Sequence, residues 1–319
     1  MRLWHLGIFW LMAMTSAQAQ TYPAKPVRLL VPFPPGGGVD GVARIAFQKL
    51  SESLNQQFII DNRGGSAGVI AAETAARAAP DGYTLFFGTT ATQTITPHYY
   101  KKLPYDPIKD FAPINLLAGA GYILVVHPSL QAQSVKEFIA LAKAKPGAFN
   151  FSSSGNGTVI QLTMELFRSM AGISLLHVPY KGAAPALADL LSGQIQLTFN
   201  PASVVMPHVR SGRLRALGVS SARRTPLAPE LPTIAEAALP GYEANGWYAV
   251  LAPAGTPQPI ITRLNRELQN VIADRDVKER FAATGVEPIG STPEQFAAYM
   301  RDEYAKWGKV IRATGVKAD

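Results

Sequence analysis

Three short loops hold the residues that could do chemistry. Pro32-Phe33-Pro34-Pro35-Gly36-Gly37-Gly38-Val39-Asp40, Asn62-Arg63-Gly64-Gly65-Ser66-Ala67-Gly68 and Ser152-Ser153-Ser154-Gly155-Asn156-Gly157-Thr158 each follow an apolar run and precede a helical pattern. Glycine leaves backbone N–H groups uncovered, and a helix starting beside them adds partial positive charge, so each loop suits an anion. The candidate contacts are Phe33, Pro35, Gly36, Gly37, Gly38 and Asp40 in the first loop, and Ser66 and Ala67 in the second. Ser153, Ser154, Asn156, Gly157 and Thr158 are the candidates in the third. Thr89 and Tyr180-Lys181 complete the set. Lys181 could bring a cation to the cleft or simply be solvated. For Asp40 the role of N-cap is preferred to ligand contact, since a carboxylate would repel an anion.

Other chemistries fit less well. Gly64-Gly65-Ser66-Ala67-Gly68 matches the G-x-S-x-G elbow of serine hydrolases. The pattern is short and built of common residues, however, and His127, His177 and His208 follow Ser66 in no recognisable context. With no Cys in the chain there is no thiolate nucleophile, disulfide or thiolate zinc site. No H-E-x-x-H or other paired ligand spacing marks a metal, and Pro35 to Asp40 is neither a Walker loop nor a G-x-G-x-x-G fingerprint, so no cofactor is expected.

The elements that must position these loops follow from the pattern of the remaining chain. Of 319 residues 47% are hydrophobic and 16% charged, which excludes disorder and leaves about two domains' worth of core. Residues 1 to 19 read as a leader: Arg2, an apolar run from Leu6 to Met14, and Ala17-Gln18-Ala19 as cleavage pattern. That run is too short to span a bilayer, so export with cleavage after Ala19 is expected. Loss of Arg2 lowers the net charge from +8 to +7. The charges are scattered, with pairs at Lys101-Lys102 and Arg223-Arg224 and no basic stripe, so nucleic acid is not an expected partner.

Short β-branched or aromatic runs then alternate with Ala- and Leu-rich stretches, the signature of βα units and an α/β fold. Strands are predicted at 27–33, 58–62, 83–88, 149–152, 175–180, 195–199, 214–219 and 247–252. Helices are predicted from Asp40, over 70–79, from Ser134 to about Lys145, from near Thr158, Ala184 and Pro201, over 259–274, and from Ser291-Thr292-Pro293-Glu294 to Gly315. Two glycine-bearing apolar stretches, 117–125 and 245–251, could each cross from one lobe to another.

The run from Tyr22-Pro23 through Val31-Pro32-Phe33-Pro34-Pro35-Gly36-Gly37-Gly38 to Asp40 and Arg44 resembles the Bug family of periplasmic solute-binding proteins, receptors related to tripartite tricarboxylate transporters. The likeness continues through Pro80-Asp81-Gly82-Tyr83, Ser154-Gly155-Asn156-Gly157-Thr158, Val178-Pro179-Tyr180-Lys181-Gly182 and Leu231-Pro232-Thr233. The resemblance implies a two-lobed periplasmic-binding-protein fold, type II-like, each lobe a mostly parallel sheet flanked by helices. Residues 20–121 and 246–319 would form the first lobe, 122–245 the second, and two crossing strands the hinge. It implies a monomer that closes on a small carboxylated molecule and a membrane transporter as partner. Gln161 stands where many relatives carry His, and Asn200 where they often carry Asp. Losing that carboxylate disfavours an amine-bearing ligand. An exported serine hydrolase using Ser66 and a ligand-free periplasmic interaction protein are the alternatives.

Overall fold

Strand and helix alternate through most of the chain, and the computed structural model describes residues 22–100 and 102–315. The proposed leader and Lys101 lie outside the described residues. The strands are β1 (Val27–Val31), β2 (Phe58–Asn62), β3 (Thr84–Thr89), β4 (Phe111–Val126), β5 (Asn150–Ser153), β6 (Leu176–Pro179), β7 (Leu197–Pro201), β8 (Arg215–Val219), β9 (Asn245–Pro253) and β10 (Glu287–Pro288).

They form one continuous path, β2-β1-β3-β9-β4-β7-β5-β6, with β8 and β10 also paired to β4. Pairing is parallel where βα units follow one another, β2-β1-β3 in one sheet and β6-β5-β7 in the other. Antiparallel pairing enters with β9 and β4, so both sheets are mixed. The long strand β4 belongs to both: Phe111 to Gly121 pair with β9, and Tyr122 to Val126 pair with β7. Its register against β9 shifts twice, between Pro113 and Asn115 and between Leu116 and Ala118, and such bulges bend a strand.

Burial on both faces explains why these strands read as unbroken apolar runs. Leu29, Leu85 and Phe87 point to one face of the first sheet, packed on Phe47, Leu264 and Leu268; Leu30 and Phe86 point to the other, with Val69 and Phe296. In the second sheet Leu124 and Phe199 join Phe138 and Phe167, whereas Ile123 and Val125 meet Leu190 and Val205.

The last helix, Pro293–Thr314, begins with a capping box between Thr292 and Gln295, where the sequence reading had pointed to Glu294. That reading also assigns the helix wholly to the first lobe. Its Phe296 and Met300 do pack under the first sheet, but Trp307, Val310 and Ile311 enter the core of the second. Trp307 is fully buried, and its indole N–H donates to Glu303 Oε2 at 2.9 Å. Truncating it to Ala would cost about 3–5 kcal/mol.

Three local differences from the sequence reading have clear causes. Asp40 is not the N-cap of the Gly38–Leu54 helix; that position is Gly37. Asp274, read as the end of a helix, ends Gln258–Ala273 and also caps a further helix, Arg275–Ala283, by accepting from Asp276 N and Val277 N. Between β3 and β4 a π-helical turn, Ala91–Ile95, runs directly into a short helix, Thr96–Tyr99. Among the described residues, no helix is long and apolar enough to cross a membrane.

Candidate ligand site

The second loop is the most constrained of the three. Gly65, Ser66, Ala67 and Gly68 all have positive φ, at 115°, 47°, 53° and 89°. Left-handed backbone costs a residue with a β-carbon about 1–2 kcal/mol, so Ser66 and Ala67 hold a shape that their surroundings impose. Gly68 fixes it from below: a β-carbon there would lie 2.6 Å from Thr92 Cγ2 and 2.9 Å from Pro32 Cβ. The N–H groups of Ser66 and Ala67 make no hydrogen bond among the described residues.

The third loop is held from beneath by side chains. Gln161 Oε1 accepts from Gly157 N at 2.7 Å, so the other end of that amide faces His177 Nδ1, at 3.2 Å, as a donor. His177 therefore carries its proton on Nε2, which donates to Ser153 Oγ at 2.7 Å; Ser153 Oγ in turn donates to Gly155 O at 3.0 Å. The imidazole stacks on Phe151, with centroids 4.8 Å apart. Burial, with Arg168 nearby, lowers the His177 pKa from 6.5 to about 4, so the ring is neutral.

This trio looks like a serine triad but has the opposite proton order. A general base must accept through the nitrogen facing the serine, and here that nitrogen is the donor. Ser153 is only 1% exposed. Ser66, the serine of the hydrolase motif, has no histidine among its hydrogen-bond partners in the described residues.

In the first loop Asp40 is 3% exposed and sits in the first turn of its helix. Its Oδ2 accepts from Gly36 N and Arg44 Nε, both at 2.9 Å, and its Oδ1 from Asn62 Nδ2 at 3.0 Å. Burial opposes ionisation, but these donors prevail and hold the carboxyl below its ordinary range. Asp40 thus ties the first loop to the second, whose Asn62 also donates to Phe33 O.

A cavity of about 490 Å³ opens among these elements. Its walls are Ala67, Ile95, Thr96, Tyr99, Tyr100, Gly155, Asn156, Gly157, Pro179, Tyr180 and Lys181. Of the sequence-predicted residues it gathers Ala67, Asn156, Gly157, Tyr180 and Lys181. Phe33, Pro35, Gly36, Gly37, Gly38, Asp40, Ser66, Thr89, Ser153, Ser154, Thr158 and Asn200 are not on its wall. The Thr89 hydroxyl accepts from Thr92 N at 3.3 Å and so closes the turn that follows β3. Asn200 lies buried on β7 opposite Ile123. The expectation of uncovered glycine amides is corrected in part, because the Gly36, Gly155 and Gly157 N–H groups are engaged by Asp40, Ser153 and Gln161. These three glycines serve through positive φ, at 83°, 136° and 74°.

The whole Ile95–Tyr100 wall was missed by sequence reasoning. A Thr-Pro pair entering two tyrosines was the available signal, since Pro is favoured in a helix's first turn. No Asp or Glu lines the cavity, and Lys181, exposed, is its one cation among the described residues. The Tyr180 hydroxyl is turned to Asp189, donating to Oδ2 at 2.6 Å. Burial and that carboxylate push its pKa up to about 12.

A family model described as tripartite tricarboxylate transporter family receptor matches residues 42–316. The chain belongs to that family. Among relatives of this receptor, BugT of Bordetella pertussis (strain Tohama I) is 38% identical over 315 residues, covering 98% of this chain and 97% of its own. The structure of R. palustris Rpa4515 with adipate is 38% identical, with a TM-score of 0.78, over 93% of this chain and 99% of that one. MatC from Rhodopseudomonas palustris with bound malate is 30% identical, with a TM-score of 0.74, over 91% and 100%. The resemblance read from the loops is thus borne out across the chain: this is a solute-binding receptor of the α/β type expected.

Proposed function

We propose that this receptor captures a small carboxylate in the cavity between its second and third loops and hands it to a membrane transporter of the tripartite tricarboxylate type. The observation that carries the reading is the chemistry of the wall. Ala67, whose N–H makes no hydrogen bond among the described residues, is on the wall, Lys181 adds a cation, and no Asp or Glu of the described residues lines the cavity. Amide donors and one lysine can hold an anion, whereas an ammonium group would find no charged acceptor. The relatives with adipate and with malate support the same class.

The first loop, absent from the wall, is proposed to meet the ligand only when the lobes close about β4 and β9. Its donors would be the N–H groups at the start of the Gly38–Leu54 helix, whose N-cap, Gly37, supplies no side-chain cap. The reading is of binding without chemistry, supported by the reversed proton order at Ser153 and His177. We place the protein in the periplasm, exported by the 1–19 leader.

Thermal denaturation with a panel of mono-, di- and tricarboxylates tests the proposal. At least one acid should raise Tm in a concentration-dependent way, while equimolar amines do not. No shift with any acid, or a shift with an amine alone, would refute it.

A further inference from the structure

The proposed function leaves open which body the acid carries, and the cavity wall bears on that directly. Three of its residues are tyrosines, Tyr99, Tyr100 and Tyr180, joined by Ile95 and Pro179. The Tyr180 hydroxyl spends its proton on Asp189 Oδ2 at 2.6 Å, which fixes the orientation of the ring. The Tyr99 ring lies flat enough against the third loop that a β-carbon on Gly157 would come within 3.2 Å of it. Tyr100 is 38% exposed, a large ring left uncovered at the cavity.

The segment carrying these rings is itself unusual. Its π-helical turn, Ala91–Ile95, is fixed by Tyr105 OH donating to Thr92 O at 2.5 Å and by Trp247 N donating to Thr90 Oγ1 at 2.8 Å. Such turns are rare and cluster at functional sites. Here the turn delivers Ile95, Thr96, Tyr99 and Tyr100 to one wall.

Resting on the carboxylate reading, we infer that the ligand is an aromatic carboxylate, its acid group at the Ala67 and Lys181 donors and its ring against Tyr99, Tyr100 and Tyr180. Ring faces favour offset-stacked or edge-on aromatic partners beyond the area they bury. A compact hydroxy acid asks for a partner for each hydroxyl, which here would be the Thr96, Asn156, Tyr99 and Tyr100 side chains, whereas an aromatic body uses the three tyrosine rings.

Isothermal titration calorimetry on the purified protein, with benzoate, phenylacetate, adipate and malate as probes, tests the assignment. An aromatic acid should bind at least tenfold more tightly than adipate and malate. Tyr100→Ala, at an exposed position that the core does not use, should weaken the aromatic acid at least fivefold and malate less than twofold. Adipate or malate binding more tightly than both aromatic acids overturns the aromatic assignment while leaving the carboxylate receptor intact. Undiminished aromatic affinity in both Tyr100→Ala and Tyr99→Leu also overturns it. Binding of none of the four overturns this inference, and the wider panel of mono-, di- and tricarboxylates then decides the carboxylate reading.

Discussion

Protonating His177 should undo the support beneath the third loop, and the size of the effect can be worked out. In the folded chain the imidazole titrates at about 4, against 6.5 when unperturbed. A lowered pKa for a base means that the unfolded chain binds more protons between those values, so stability rises with pH there and falls as pH drops from about 6.5 toward about 4. The slope approaches 1.4 kcal/mol per pH unit, giving a loss of about 2 kcal/mol between pH 7 and 5 and about 3 kcal/mol by pH 4. The mechanical reason is visible in the site: a proton on Nδ1 would face the Gln161 amide N–H, replacing a hydrogen bond with two opposed donors. Gln161 could then keep Gly157 only by leaving His177. His177→Gln retains a donor toward Ser153 but cannot titrate. Urea denaturation of both proteins at pH 7, 6 and 5 should show the wild type losing about 2 kcal/mol more than the variant. The difference isolates His177 from His98, whose lowered pKa acts with the same sign in both proteins. Parallel pH profiles for the two proteins would refute the reasoning, tautomer and all.

Three further substitutions probe the loops. Gly157→Ala places a β-carbon at φ 74° and 3.2 Å from the Tyr99 ring; it should cost about 1–2 kcal/mol in a denaturant melt and abolish ligand-induced stabilisation. Gly37→Leu should leave the apo Tm nearly unchanged, because φ is −81° and the nearest atom to a new β-carbon is 3.7 Å away. It should nonetheless remove the thermal shift produced by the ligand; a retained shift takes the first loop out of the site. Asp40→Ala strips three donors of their buried acceptor and should destabilise the protein by about 2–3 kcal/mol in urea, with Asp40→Asn recovering part of the loss.

Much of this architecture was legible because short-range chemistry announces it. Ser134, Thr158 and Thr292 each cap a helix by accepting from the backbone N–H three residues on, and Gly315 ends the last helix at φ 67°; spacing suggested the Ser134 box and the Gly315 stop, and placed the other two starts nearby. Ala67, Asn156, Gly157, Tyr180 and Lys181, which line the cavity, were legible for the same reason, lying in turn chemistry at strand ends. The Ala91–Tyr99 stretch was not. It mixes β-branched and polar residues with Pro97 and has no helical period; long-range bonds to Tyr105 and Trp247 hold its turn in place. The Asp40 role was misassigned by three positions because Gly37 leaves no side-chain signature of a cap. That Gly155 and Gly157 amides are engaged was equally hidden, since it depends on Ser153 Oγ turning to Gly155 and on Gln161 folding back to Gly157.

The placement of β9 has a consequence for how the molecule can be made. It lies between β3 and β4, although it is synthesised after both lobes' other principal strands. Until Asn245–Pro253 is made, β3 and β4 lack the strand that joins them, and Trp307, later still, is missing from the second core. Neither half can mature on a ribosome ahead of the tail, and contacts this distant in sequence form slowly. Fragments ending before residue 245 should therefore stay protease-sensitive, and the full chain should mature in a single late, cooperative step.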